Sequence, residues 1–462
     1  MVHMFLHTFH TPGLSINSYF IGDTETKRAL IIDPIREVDQ YIDYAHKEGY
    51  AITAITETHV HADFVSGSKE LKHRLEGKPK IYCSAMGGEE WTPKYTDIKV
   101  KNGDNIQFGK LRLQALHTPG HTPEHIIWIC YDESRSNEVP CLAFTGDLLF
   151  VGSIGRPDIL GGADTKKLSS ELYESLFNRI KFLPDLLEIY PAHGAGSLCG
   201  KGLSPRPTST LGYERLFNEF LVKKPLEQWT EEVLRDIPAV PINFIRIKKM
   251  NVEGPPLMLK EILLDEKPQL IIDVRKPEHF AKAHITGSLN IPLGITFSSW
   301  VSAVLGEDIP LGVIVEKNDQ LVESAKNLHL IGFDKIVLQL IWDEENFRKT
   351  FSISSMPFLD VKTLVEKLGE DPPYILDVRT PCEWNSGHIK DAHHIELAKL
   401  KERIKEIPKD ADIYVLCGGG YRASIAASLL KKLGYEHVSN ICGGMGAWTE
   451  AHLPIEHEGE KA

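Results

Sequence analysis

The stretch Thr58-His59-Val60-His61-Ala62-Asp63-Phe64 puts three metal-binding side chains at alternate positions, two imidazoles and then a carboxylate. Such groups bind divalent metals well, and two histidines at i and i+2 can converge from a loop at the end of a strand. The preceding run 51–57, Ala-Ile-Thr-Ala-Ile-Thr-Glu, reads as that strand. Three further candidates have similar settings: His121 in Thr-Pro-Gly-His-Thr (118–122), Asp147 in Thr-Gly-Asp (145–147) and His193 in Tyr-Pro-Ala-His-Gly (190–194). Each stands beside glycine or proline close to an apolar run, and strand-end loops are where α/β folds build sites. Taken singly, any of them reads as a hydrogen-bonded core or surface residue, since the chain has 20 histidines.

A second constellation lies far along the chain. The strand-like run Ile413-Tyr414-Val415-Leu416 leads into Cys417-Gly418-Gly419-Gly420-Tyr421-Arg422 and then a helical stretch to Leu433. Glycines let a loop curl so that several backbone amides aim at one sulfur, and the following helix favours a thiolate at its start. The same cradle, Gly418, Gly419, Gly420 and Tyr421, suits the outer sulfur of a persulfide, and Arg422 adds positive charge. A buried structural cysteine needs no run of three glycines. The other six cysteines (83, 130, 141, 199, 382 and 442) form no CxxC pair, which argues against a disulfide framework or a zinc knuckle.

These motifs must be positioned by sheets. Leu270-Ile271-Ile272-Asp273-Val274-Arg275 recurs about one hundred residues later as Tyr374-Ile375-Leu376-Asp377-Val378-Arg379. His284-Ile285 and His388-Ile389 repeat likewise, as do Ile331-Gly332-Phe333 and Leu433-Gly434-Tyr435. Strand-like runs alternating with helical ones predict two copies of a small domain with a parallel sheet. Aligning the copies sets Val315-Glu316-Lys317-Asn318-Asp319-Gln320 opposite the cysteine loop, so the first copy has no nucleophile. The region before the repeats predicts strands near 15–21 and 29–32, helices over 38–48 and 166–181, and a short helix and linker over 224–241. Expected domains are 1–235, 250–352 and 357–456.

Composition sets the bounds. At 462 residues, 42% hydrophobic and 25% charged, the chain is an ordinary globular protein. A net charge of −12 disfavours nucleic acid or an anionic membrane as partner. No apolar run reaches the length of about 18 residues that a membrane span needs, and residues 1–7 lack the basic and apolar segments of a secretory signal. The expected compartment is the cytoplasm.

The four metal-ligating sets, in this order and spacing, resemble the signature of the metallo-β-lactamase superfamily over about residues 1–225. The resemblance implies a four-layer αβ/βα sandwich with its metal at the rim of the two sheets. Hydrolytic two-metal members continue the first motif with a histidine where this chain has Phe64. The pattern is similar to that of persulfide dioxygenases, which implies one Fe(II) per chain held by His59, His121 and Asp147, with His61, Asp63 and His193 around those ligands. Zinc at the same residues is the competing expectation. Two histidines and one carboxylate leave coordination positions open for O₂ and a persulfide together.

Gly155-Arg156-Pro157-Asp158 resembles that family's glycine-arginine-aspartate segment, where Arg156 either pairs with a substrate carboxylate or bridges loops. The single-domain mitochondrial type has a tyrosine close behind the last histidine, where this chain has Ala195; that leaves room for Cys199 to relay sulfur or simply to pack. The Cys417 loop resembles that of a rhodanese, and the first repeat resembles a degenerate rhodanese. In this order the three domains resemble persulfide dioxygenase–sulfurtransferase fusions. That implies oxidation of a low-molecular-weight thiol persulfide to sulfite, sulfane-sulfur or thiosulfate chemistry at Cys417, and a homo-oligomer (dimer or tetramer). A zinc-dependent thioester hydrolase of the glyoxalase II type with separate rhodanese domains is the alternative.

Overall fold

The structure is a computed structural model and describes residues 4–159, 164–258, 266–369 and 372–457. These fall into two units. The first comprises the described residues up to 235 with 243–258 and 329–332, and the second the described residues of 236–242, 259–328 and 333–462.

In the first unit, two six-stranded sheets face each other. One runs Met4–Thr11, Ile16–Asp23, Arg28–Ile32, Ala51–Thr56, Lys80–Ser84, Ile98–Val100 in spatial order; the other runs Ser209–Thr210, Glu188–Pro191, Leu142–Gly146, Ile126–Asp132, Leu111–His117, Asn105–Phe108. Their inner faces share a core of Tyr19, Ile21, Leu30 and Ile32 with Leu113, Trp128, Leu142 and Phe144. The outer face of the second sheet is covered by Leu172, Leu176, Leu211, Trp229 and Val233, which come mostly from helices. Ile126–Asp132 is buried along its whole length, which explains why residues 126–131 are apolar on both alternations. This is the expected αβ/βα sandwich.

The helix expected over 38–48 forms at Asp39–Glu48 and stops at Gly49, whose φ of 72° is the left-handed cap that glycine accommodates. The one expected over 166–181 is α-helical only over Asp164–Glu174, and a wider turn follows at Ser175–Arg179. There Ser175 Oγ donates to Pro119 O at 2.7 Å, tying the turn to the His121 loop. Gly120 is required beside it, because a Cβ would lie 2.3 Å from Leu172 Cα. After the helix Leu226–Leu234 a second one, Phe244–Glu253, also belongs to the first unit.

The second unit holds two parallel sheets. The first repeat orders its strands Leu289–Asn290, Leu270–Asp273, Leu311–Val315, Ile336–Ile341; the second orders Phe358–Leu359, Val438–Ile441, Ile413–Leu416, Tyr374–Asp377, His393–His394. Asp273 pairs with Ile314 as Asp377 pairs with Leu416, so Val315 takes the register position of Cys417. Among the described residues no helix is long and apolar enough to cross a membrane.

Candidate metal centre and cysteine loop

Four strand ends deliver the metal-binding side chains. Residues 57–66 follow Ala51–Thr56, His121 follows Leu111–His117, Asp147 follows Leu142–Gly146, and His193 follows Glu188–Pro191. All are buried. The ligand atoms of His59, His121 and Asp147 lie within 4.8 Å of one another, and so do those of His61, Asp63 and His193 and those of Asp147, His193 and Cys199. The structure therefore brings together every expected metal-site residue, with Cys199 beside them.

Neighbouring groups fix which nitrogens face the cluster. His121 Nδ1 stands 2.9 Å from Arg156 O, and a carbonyl only accepts, so the proton is on Nδ1 and the Nε2 lone pair is free. Thr58 Oγ1 donates to Asp33 Oδ2 at 2.8 Å and lies 3.0 Å from His59 Nδ1, which makes Nδ1 the donor and leaves Nε2 bare. From Asp147 Oδ2, His121 Nε2 is 3.3 Å away and His59 Nε2 3.8 Å.

Burial drives the His59 basicity well down, helped by the neighbouring imidazoles, and brings His121 to about 3. Burial also raises Asp147 to about 6. His61 differs: burial opposes its charge, but Asp33 and Glu57 outweigh burial and raise it to about 9. Its Nε2 lies 3.1 Å from Asp33 Oδ1 and 3.7 Å from Glu57 Oε2. The buried Phe64 ring packs against the His61 ring, centroids 4.2 Å apart.

His59 Nε2, both nitrogens of His61 and of His193, and both oxygens of Asp63 and of Asp147 are buried with no hydrogen-bond partner among the described residues. Orphaned polar atoms cost about 1–3 kcal/mol each, and more when charged, so this many at one point fits a resident cation. Two imidazole nitrogens and a carboxylate suit iron or zinc.

Sequence reasoning missed two residues that build this site. His125 Nε2 accepts the Asp147 N–H at 3.0 Å and its Nδ1 stands 2.9 Å from Thr118 Oγ1, so it aims the Asp147 loop. Its spacing of four from His121 was the available signal. Asn251, on the unexpected helix, accepts from Ser66 N at 2.9 Å and donates to His61 O at 2.8 Å and Phe64 O at 2.9 Å. No local pattern points to it, because the contact spans some 190 residues.

The sequence leaves Arg156 either a partner for a substrate carboxylate or a bridge between loops. It is 2% exposed and bonds Asp158 through Nε at 2.7 Å and Nη2 at 2.8 Å, with Nη1 donating to Leu198 O at 3.2 Å. Its fork is occupied within the protein. Cys199 is buried, and burial followed by the Asp63 and Asp147 charges raises its thiol well up.

In the second unit, Gly420 N donates to Cys417 Sγ at 3.0 Å, and Gly420 adopts φ 97° at the start of the helix Tyr421–Lys432. Arg422 forms a bidentate pair with Glu383, at 2.5 and 2.6 Å, and its guanidinium lies 5.5 Å from the Trp300 ring centre. Although burial would raise Glu383, its bonds to Arg422 and Thr380 hold it at about 2. A second glycine run, Gly443–Gly444, packs under the loop: Met445 N donates to Cys417 O at 2.7 Å, and a Cβ on Gly444 would meet that oxygen at 1.9 Å. Neither Glu383 nor Gly444 was singled out from sequence, though Glu383 lies in a legible Thr-x-x-Glu capping box.

Comparison with known proteins agrees with this geometry. Residues 11–193 match the metallo-beta-lactamase superfamily, and 256–340 and 360–451 each match the rhodanese-like domain. The mitochondrial persulfide dioxygenase ETHE1 of Bos taurus is 33% identical over 189 residues, which are 41% of this chain and 67% of that protein. A cytoplasmic hydroxyacylglutathione hydrolase of Arabidopsis thaliana is 33% identical over 187 residues, 40% of this chain and 66% of that one. A crystal structure of a metallo-beta-lactamase from Staphylococcus aureus superposes with a TM-score of 0.68 at 35% identity, covering 74% of this chain and 99% of that one. The chain thus spans about two thirds of the curated relatives it matches.

Proposed function

Because this chain is an enzyme of the metallo-β-lactamase superfamily, related to the persulfide dioxygenases and extended by two rhodanese-like domains, we propose that it oxidises a low-molecular-weight thiol persulfide and moves sulfane sulfur at Cys417. The overall reaction at the first site joins RSSH, O₂ and water to give RSH, sulfite and two protons. His59, His121 and Asp147 would hold one Fe(II), which supplies a Lewis acid able to accept both a thiolate-like sulfur and O₂.

The chain's own residues do the rest. Thr58 and the Arg156 carbonyl keep the Nδ1 protons of His59 and His121 in place, so both rings present Nε2. His125 holds the Asp147 backbone, and burial of the whole cluster keeps bulk water away. The observation that carries this reading is the buried, hydrogen-bond-free set of His59 Nε2 and the Asp147 oxygens beside His121. A single ion is supported by Phe64, which stands where hydrolytic two-metal members carry a histidine and packs against the His61 ring.

At the other site, the Cys417 thiolate attacks the sulfane sulfur of thiosulfate or a thiol persulfide, and the donor leaves as sulfite or thiol. The resulting persulfide, steadied by the Gly420 amide and the helix start, passes that sulfur to an acceptor. A tether between the two activities raises the local concentration of reactive sulfur species.

Zinc-dependent thioester hydrolysis is the competing reading, favoured by the second close set of His61, Asp63 and His193. Anaerobic purification followed by iron and zinc quantification per chain, then O₂ uptake and sulfite release with a thiol persulfide, separates them. One iron with O₂ uptake is expected, and His121→Ala should lose both while Cys417 still loads sulfur. Two zinc ions with thioester cleavage and no O₂ uptake would overturn the proposal.

A further inference from the structure

A hollow of about 190 Å³ opens beside the Cys417 loop and is lined by residues of both repeats: Lys276, Pro277 and Glu278 from the first, Gly419, Gly420 and Tyr421 from the second, with Phe358 and Cys442 completing it. Gly420 is common to the hollow and the sulfur cradle, since its N–H also reaches Cys417 Sγ. The volume is below the roughly 300–1,000 Å³ of drug-sized pockets and suits a fragment the size of an amino acid.

Two of the residues that line this hollow carry opposite charges. Among the described residues, neither the Lys276 ammonium nor the Glu278 carboxylate takes part in a hydrogen bond or ion pair. Lys276 is also the N-cap of the helix Pro277–Lys282 and makes no capping bond. A lysine is a poor choice there, because the position favours an oxygen acceptor and a helix start repels cations. In the second repeat the corresponding residue, Thr380, is a working cap whose hydroxyl accepts from Glu383 N. Helix stability therefore does not account for Lys276, whereas a ligand carboxylate would.

We propose that this hollow binds the acceptor of the sulfur on Cys417, a small thiol carrying both an α-carboxylate and an α-ammonium group, with Lys276 receiving the carboxylate and Glu278 the ammonium. It rests on the sulfurtransferase reading above and specifies the substrate class. The acceptor's thiolate attacks the outer sulfur of the Cys417 persulfide; the sulfur–sulfur bond breaks and Cys417 departs as a thiolate that takes up the acceptor's proton. The acceptor leaves as its persulfide, with no net oxidation. The catalytically silent repeat thereby gains a role as the specificity wall of its neighbour's site.

The test uses the full chain loaded with thiosulfate, with loading read as the mass gain of one sulfur atom on Cys417. Transfer is then measured to L-cysteine, 3-mercaptopropionate (carboxylate only), cysteamine (ammonium only) and 2-mercaptoethanol (neither). Lys276→Thr installs the second repeat's cap, so it should fold at least as well as the parent chain. It should raise KM about fivefold for cysteine and mercaptopropionate, leaving cysteamine and mercaptoethanol unchanged. Glu278→Gln should raise KM similarly for cysteine and cysteamine only. Loading should be unaltered in both. Normal loading with no charge-selective change in KM overturns this assignment alone; failure of the parent chain to load sulfur overturns it together with the sulfurtransferase reading.

Discussion

At the end of Ile413–Leu416 the second repeat presents Cys417 in a loop of glycines, and at the same register position the first repeat presents Val315, fully buried. In the second repeat a loop amide, Gly420 N, reaches the sulfur at 3.0 Å. In the first, Gln320 stands where Arg422 would be, and its Oε1 accepts from Glu316 N at 2.9 Å and Lys317 N at 3.0 Å. A neutral side chain thus satisfies amides on the loop that replaces the sulfur cradle. Carrying the sheet register forward also sets Trp342 and Asp343 opposite Gly443 and Gly444. Trp342 covers the Arg275 guanidinium at 3.6 Å, while Gly444 leaves room for the Cys417 carbonyl. The Asp-x-Arg brace is retained in both, Arg275 on Asp273 and Arg379 on Asp377. The two copies teach that the sheet and its brace are independent of the loop chemistry: a domain can lose catalysis without losing its fold.

The largest expected effect tests that claim directly. Cys417→Ser should lower sulfur transfer by at least about 10³-fold, since it removes the covalent step. Adding Val315→Cys to that chain should restore nothing, because Gln320 already holds the loop amides. Mass analysis for sulfur loading at residue 315 checks this. Loading there would mean that a cysteine at the strand end suffices.

Next comes Gly444→Ala. Its Cβ would fall 1.9 Å from Cys417 O, at a φ of 51° that also strains alanine. The loop must shift, and a misplacement of about 1 Å costs up to about a hundredfold in rate. Asp343→Gly, the matching change in the first repeat, should leave transfer unchanged. Steady-state transfer to a thiol acceptor measures both.

A smaller effect is expected for Glu383→Gln, about tenfold on transfer, because Arg422 loses a charge-assisted, bidentate partner. Its pH signature is separate. Glu383 is held at about 2 in the fold, below the ordinary glutamate value of about 4.3. Its contribution to stability is therefore full above that ordinary value and lost as pH falls through about 2. The parent chain should lose more stability over that window than the Gln variant. Thermal unfolding of the whole chain, recorded against pH, gives the comparison.

Much of this was legible because it is local. Chemistry-bearing residues in short motifs after apolar runs, from His59 to Cys417, all lie at or close behind strand ends, and the repeat predicted two like sheets. The alignment of Val315 with Cys417 agrees with the pairing of Asp273 and Asp377. What stayed hidden needs contact at a distance. Asn251 reaches the His61–Ser66 loop from a helix far along the chain, and Gly444 reaches Cys417 across a neighbouring strand. The helix expected to continue to 181 widens at Ser175 because its hydroxyl bonds a loop carbonyl, which periodicity does not record.

The smallest effect asks how far the silent repeat supports the active one through contact. Trp300, from the helix Phe297–Val304 of the first repeat, sets its ring 5.5 Å from the Arg422 guanidinium, which also carries the Glu383 pair. A partly exposed cation–π contact is worth about 0.5–1 kcal/mol, a change of about two- to fivefold. Trp300→Ala should therefore lower transfer at Cys417 by that factor, and Trp300→Phe by less, since an aromatic face remains. In a chain that already carries Glu383→Gln the Trp300→Ala effect should grow, because the ring becomes a main remaining restraint on Arg422. Equal effects in both backgrounds would mean that the two residues act separately, and that the first repeat contributes only its fold at this contact.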